Sequence, residues 1–228
     1  MGFYFDMYVN VEKKYEEYAP IIKNYKAEAG CKEVAIFGRS GQGIWTTGEL
    51  LCAMMIKKGK HAKTQFHMGG ERQLGLGRQY VRYADKPVTF PVSFLYSADI
   101  VLILDMAIAN LDSTITGFSV PTFLQRLGKD ATCIVNSSHK PEDLQLDTPA
   151  RIATVDATTI ALEVFNNSLR VNTAGIGALI ALTHVVEMGE LESMFVDFQN
   201  PRGLEIFKGT LGEKNIKAAQ MGYERLKI

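Results

Sequence analysis

Six residues, Gly38-Arg39-Ser40-Gly41-Gln42-Gly43, stand between the apolar run Val34-Ala35-Ile36-Phe37 and a helix-like stretch over about 44–58. A strand, a glycine loop and a helix in that order are how α/β proteins build an anion site. Glycines let the loop turn at positive φ and let backbone amides approach a ligand. The helix start behind them presents unpaired N–H groups and the positive end of its dipole.

From Lys32 onward, apolar runs of strand length alternate with helical periodicity. Strands are expected near 33–37, 62–67, 79–84, 99–104, 131–136 and 151–155, and helices near 44–58, 120–128, 158–168, 173–188, 190–198 and 212–226. The pattern predicts an α/β fold, a doubly wound, mostly parallel sheet with helices on both faces. Arg78 to Ala84 alternates like a half-buried strand, and the turn Asp85-Lys86-Pro87 leads to another extended piece, Val88 to Val92, so an antiparallel ribbon is expected within the sheet. The helical part from Thr158 is expected to pack on the sheet as one unit.

The chain divides into an arm, 1–31, and an α/β domain, 32–228. The arm holds Tyr4, Tyr8, Tyr15, Tyr18 and Tyr25, five of the nine tyrosines. With Val11 and Ile22 they recur at alternating spacings of four and three, a helical stripe of the coiled-coil type that Pro20 interrupts. Such an arm either packs on its own domain or clasps a partner subunit.

Charge and cysteine usage exclude several classes of function. Lys+Arg and Asp+Glu balance at 25 each, which leaves no electrostatic footprint for nucleic acid and no polybasic tract for an anionic membrane. The longest apolar stretch, Thr173 to Val186, is broken by Gly175, Gly177, Thr183 and His184 and falls short of the roughly 20 residues of a spanning helix. It reads as a buried helix. Cys31, Cys52 and Cys133 are far apart with no C-x-x-C pair, which fits a reducing cytoplasm and argues against an iron–sulfur cluster or structural zinc held by this chain alone.

The glycines fall as G-x-x-G-x-G, neither the dinucleotide fingerprint nor a P-loop. Arg39 and Gln42 raise the functional reading of the loop, because a guanidinium pairs with a phosphate through two N–H bonds and an amide meets a neutral polar group. A second loop, Gly69 to Arg78, carries four glycines with Arg72 and Arg78 and should lie on the same carboxyl edge of the sheet. The alternative for either loop is a plain turn. His67, beside the second loop, is the one histidine placed to serve a ligand. Asp105 ends an apolar strand, where a carboxylate serves a ligand or, more commonly, caps a helix start. Asn136-Ser137-Ser138 lines the crevice or turns the chain. No nucleophile motif, H-E-x-x-H or phosphoryl-transfer motif is present. The chain carries binding apparatus and no catalytic constellation.

Phe37 to Thr46 resembles the glycine motif that opens the gamma subunit of the 2-oxoacid:ferredoxin (acceptor) oxidoreductases, usually G-R-G-G-Q-G. Further likenesses follow in order: Asp85-Lys86-Pro87, Ser97 to Val101 before the strand ending at Asp105, the small-residue helix from Asn172 to Leu182, and the closing A-x-x-x-G-Y of Ala218 to Tyr223. The resemblance covers about 32–225. Ser40 stands at the third position of that motif, where the family has glycine, Trp45 follows the loop, and the second loop lacks the proline-containing stretch of many members.

The resemblance implies a subunit, not catalytic alone, of a hetero-oligomeric enzyme that oxidatively decarboxylates a 2-oxoacid to an acyl-CoA. Thiamine diphosphate, magnesium and iron–sulfur clusters are then expected mainly in partner subunits, with ferredoxin or another electron acceptor served through the complex. For this chain the resemblance implies a share in coenzyme A binding, with Gly38, Arg39, Ser40, Gly41, Gln42, Gly43 and Arg72 as the binding set and no catalytic or metal residue. Two other readings compete. A free-standing nucleotide-binding protein, either a dehydrogenase domain or a ligand sensor, explains the fold and the loop. It does not explain the lack of an acidic residue at the end of the second strand, where His67-Met68 stands. The third reading is an assembly subunit whose glycine loop is only structural.

Overall fold

A computed structural model describes residues 30–68, 75–88, 95–113, 118–197 and 209–228, with Glu17 and Pro20. The rest of the tyrosine arm, Arg72, and the extended piece beyond Val88 lie outside the described residues.

Strand β1 (Lys32–Arg39) is followed by α1 (Ile44–Lys57), β2 (His61–Met68), β3 (Leu76–Ala84) and β4 (Ile100–Ile103). A short antiparallel pair, β5 (Asp112–Ser113) and β6 (Phe118–Ser119), leads into α2 (Val120–Gln125). Then come β7 (Thr132–Asn136), β8 (Arg151–Val155), α3 (Ala157–Phe165), α4 (Asn172–Thr183), α5 (Met188–Asp197) and α6 (Gly209–Glu224). The main sheet has the order β2-β3-β1-β4-β7-β8. Strands β1, β4, β7 and β8 are parallel, and β3 runs antiparallel between β1 and β2. Among the described residues β3 forms an antiparallel ribbon with β2 within the sheet, while the extended piece expected after Pro87 lies, beyond Val88, outside them.

Burial on both faces explains why the central strands read as continuous apolar runs. One face carries Val34, Ile36, Leu102 and Ile134 under α1, α3, α4 and α6. The other buries Ala35, Phe37, Tyr80, Val101 and Cys133 under α2 and its flanking loops. On that second face Phe123 of α2 meets Phe37 edge-on, with ring centroids 5.2 Å apart, and stacks on Tyr80 at 6.5 Å.

The apolar Thr173–Val186 stretch forms α4, and Thr173 to Ile180 are all buried. Its small residues are a packing requirement. A Cβ on Gly177 would lie 1.9 Å from the Ala219 carbonyl oxygen, and one on Gly222 would lie 2.1 Å from that of Ala174. The backbones of α4 and α6 thus touch, while Gly175 lets α4 settle on Leu102 and Leu104. Sheet, α4 and α6 form successive layers, so the C-terminal helices pack as the expected unit. Helix ends fall earlier than the periodicity implies. Asn166 and His184 adopt left-handed φ of 53° and 49° and terminate α3 and α4, a backbone stop that apolar spacing does not reveal. No described helix is long and apolar enough to cross a membrane.

Candidate functional site

Strand β1 delivers the glycine loop to the carboxyl edge of the sheet, where open α/β sheets bind ligands. Ser40 N donates to Gly75 O at 3.2 Å, so the end of the second glycine loop meets the first on that edge, as the sequence implies. Arg72 lies outside the described residues. Gly43 turns the chain into α1 with φ 73°, and Thr47 seals the first turn by donating both N–H and Oγ1–H to Gly43 O at 2.9 Å. A side chain at 43 would be strained by that φ and would also strike Asn172, whose Cγ is 2.7 Å from the Cβ position. The loop and the start of α4 are therefore locked together through this glycine.

Arg39 and Gln42 are held within the protein. Arg39 Nε lies 2.8 Å from Asp105 Oδ2. Gln42 is buried; its Oε1 accepts the Arg39 N–H at 2.7 Å and its Nε2 reaches toward Asp105 Oδ2 at 3.5 Å. Asp105 also caps the 3₁₀ turn Met106–Ile108 by accepting the Ala107 N–H at 3.0 Å, the capping role that strand-end carboxylates commonly take. The amide of Gln42 thus satisfies the loop itself, and Asp105 joins the loop to the end of β4.

The other residues singled out in the sequence serve the frame. Asn136 Nδ2 donates to Leu104 O at 2.8 Å and to Thr158 Oγ1 at 2.9 Å, fastening β7 to β4 and α3. The His67 ring sits 5.5 Å from that of Tyr80, and its register partner is Arg78, whose guanidinium lies over Phe118 at 4.3 Å. The three cysteines are buried and form no disulfide, with burial pushing the Cys52 thiol up to about 11 and that of Cys133 to about 12.

On the helix side of the loop is a cleft of about 400 Å³. Gly41, Gly43 and Thr46 form one wall, and Asn167 and Arg170 from the turn between α3 and α4, with Asn172 at the start of α4, form the second. Leu169, Leu211 and Asn215 complete it. Neither α1 nor α4 has a side-chain cap at its start. The sequence reading reached the loop glycines and the Asn172 helix start but missed Asn167, Arg170 and Asn215. The only signal for Asn167 and Arg170 is the turn from Asn166 to Asn172 joining two apolar helices, and Asn215, inside α6, has none. A larger hollow of about 520 Å³ lies at the opposite edge, beside Lys32, Asp99 and Asp130, with charges of both signs and no glycine loop.

The profile of the family described as pyruvate ferredoxin/flavodoxin oxidoreductase matches residues 33–225. The chain is 29% identical over 200 residues to the Pyrococcus furiosus pyruvate/ketoisovalerate oxidoreductases common subunit gamma, covering 86% of this chain and 97% of that one. It is 30% identical over 194 residues to the pyruvate synthase subunit PorC of Methanocaldococcus jannaschii, covering 85% and 96%. Among solved structures, the Thermotoga maritima pyruvate oxidoreductase subunit PORC superposes with a TM-score of 0.69 at 23% identity over 86% of this chain and 97% of that one. The Magnetococcus marinus 2-oxoglutarate:ferredoxin oxidoreductase, solved with 2-oxoglutarate, coenzyme A and succinyl-CoA bound, superposes at 0.61 and 16% identity, over 85% of this chain and 30% of the larger one. The chain belongs to the pyruvate ferredoxin/flavodoxin oxidoreductase family and is a gamma-type subunit of a 2-oxoacid oxidoreductase complex.

Proposed function

We propose that this subunit contributes coenzyme A binding and assembly contacts to a cytoplasmic complex that oxidatively decarboxylates a 2-oxoacid to an acyl-CoA. Thiamine diphosphate, magnesium and iron–sulfur clusters reside mainly in partner subunits, and ferredoxin or another acceptor takes the electrons through the complex. The observation that carries the reading is the glycine loop at the carboxyl edge, opening on a helix with no side-chain cap. Its residues fit the phosphates of coenzyme A: the loop exposes backbone at Gly41, the described residues lining the adjoining cleft include no acidic side chain, and the lack of a Cβ at Gly43 keeps the cleft wall clear beside Asn172. The bound coenzyme A of the Magnetococcus relative, in a larger chain that includes this fold, supports the same assignment.

When bound, coenzyme A supplies the thiol that accepts the acyl group. This chain's residues position it: Gly38 to Gly43 shape the loop, and Arg39 is held ready by Asp105. Arg72 belongs to the same binding set. Arg39→Ala in the intact complex should raise the coenzyme A concentration needed for half-maximal rate while subunit composition stays unchanged. An unaltered requirement contradicts this role for the loop.

A further inference from the structure

The tyrosine stripe of the N-terminal arm has no part in the coenzyme A reading. From Tyr4 to Tyr25 it keeps the alternating four-three spacing through about three heptads. The positions flanking it include Phe5, Met7, Ala19 and Ile21, so the apolar face is broader than a two-stranded seam and suits a groove on a globular surface. In a parallel pair of copies the flanking positions would meet as Met7 with Glu12, Lys14 with Ala19 and Ile21 with Lys26, and none of these is a salt bridge that would hold such a pair. Within the span of the stripe the structure describes Glu17 and Pro20. Both are helical and exposed, and both fall on the face turned away from the stripe. The arm is also an addition to the family's common core. The family profile begins at residue 33, and 86% of this chain already matches 97% of the Pyrococcus relative, which leaves that relative almost nothing to match the arm.

The arm joins the domain at the amino edge of the sheet, opposite the glycine loop. Gly30 turns the chain with φ 59°, and Cys31 is buried against Ala84 and Val88. Lys32 then borders the hollow of about 520 Å³, whose other lining residues include Tyr96, Ser97, Asp99, Arg126 and Asp130. That surface is polar and charged. The large apolar side chains that the described residues leave exposed are Ile56, Leu111, Leu162, Leu169 and Ile228, and none of them lines the hollow. Among the described residues, the domain therefore offers the stripe no apolar surface where the arm begins. We infer that the arm is a clasp, its tyrosine stripe seated in an apolar groove of a partner subunit of the oxidoreductase complex. Tyrosine suits that place, because its ring supplies apolar contact and its hydroxyl reaches the polar rim. A helix over 4–25 is about 33 Å long, enough to reach well past the hollow onto a neighbouring chain. Rooted at the amino edge, the clasp leaves the carboxyl edge open to the cofactor.

The inference rests on the reading of this chain as one subunit of a complex. The test is photo-crosslinking in the native complex, with benzoylphenylalanine placed at Tyr15 on the stripe or at Glu17 on the outer face, and the linked peptides identified by mass spectrometry. The Tyr15 probe should link to a partner subunit and the Glu17 probe should not. A Tyr15 link to residues 32–228 of this chain, a link to a second copy of the arm, or no link at all overturns the inference. Copurification gives a second readout. Tyr15→Glu combined with Tyr18→Glu should lower the amount of partner chain retained on this subunit by about tenfold or more, whereas Glu17→Lys should leave it unchanged. Equal retention by all three chains also overturns the clasp. Failure here is separable from failure of the coenzyme A reading: a Tyr15 link within residues 32–228 removes the clasp alone, and an Arg39→Ala complex with an unaltered coenzyme A requirement removes that reading and leaves the clasp.

Discussion

Arg39 Nε lies 2.8 Å from Asp105 Oδ2, so the cation of the glycine loop is tied to the end of β4. The two residues are 66 positions apart and meet because β1 and β4 are parallel neighbours ending on the same edge. If the pair acts as one brace, Arg39→Ala and Asp105→Ala raise the coenzyme A requirement of the complex similarly, and the double variant is no worse than either single one. Both side chains are partly exposed, so stability should change by no more than about 1 kcal/mol. A double-variant cycle of coenzyme A saturation curves with thermal melts checks both statements; strictly additive losses would separate the two residues.

Gly43 is required twice, by its φ of 73° and by the approach of Asn172. Gly43→Ala should destabilise the subunit by about 2 kcal/mol, from left-handed strain plus overpacking. Adding Asn172→Ala relieves the contact and not the φ, so only part of the loss returns. Denaturant midpoints of Gly43→Ala, Asn172→Ala and the double variant measure the split, and full recovery in the double variant would show that backbone strain is negligible.

The strand frame was legible in the sequence because period and burial agree there. The runs 33–37, 131–136 and 151–155 are each strands, and their centres, Val34 to Phe37, Cys133 to Val135 and Ala153 to Val155, are buried. The glycine loop and the Asn172 helix start were legible as separate motifs, but not that Gly43 brings them into contact. Likewise nothing in the local sequence of Arg39 announces Asp105. Side-chain pairing across 66 residues depends on strand order, and the order β3-β1-β4 is a tertiary fact. The cleft residues of the α3–α4 turn lacked any periodic or motif signal.

Arg82 and Glu33 form a buried ion pair, with Arg82 Nε 2.8 Å from Glu33 Oε1 and both residues about 2% exposed or less. Removing one partner leaves a buried charge, and Arg82→Met alone should cost about 3–5 kcal/mol. Pairing it with Glu33→Leu removes both charges and should restore much of that loss. Chemical denaturation of the single and double variants decides the matter; equal destabilisation in both would mean that the charges are not coupled.

Burial raises the Cys133 thiol and the Tyr80 and Tyr83 phenols to about 12, and Cys52 to about 11. In the unfolded chain these groups ionise near pH 9 to 10, so there the unfolded state holds fewer protons. Their contribution to stability is complete below about pH 9 and is lost as pH rises toward 12. Melting temperature should fall steeply over that window, and iodoacetamide at pH 8 should leave Cys52 and Cys133 unlabelled until denaturant is added. Rapid labelling of the native subunit would contradict the buried placement.

The most direct measurement is the composition of the native complex copurified with this chain, determined by mass spectrometry with iron and thiamine diphosphate assayed on the same sample. Partner chains carrying both cofactors are the predicted result, and they place this subunit within a complete 2-oxoacid oxidoreductase. A lone chain with neither cofactor would contradict that account.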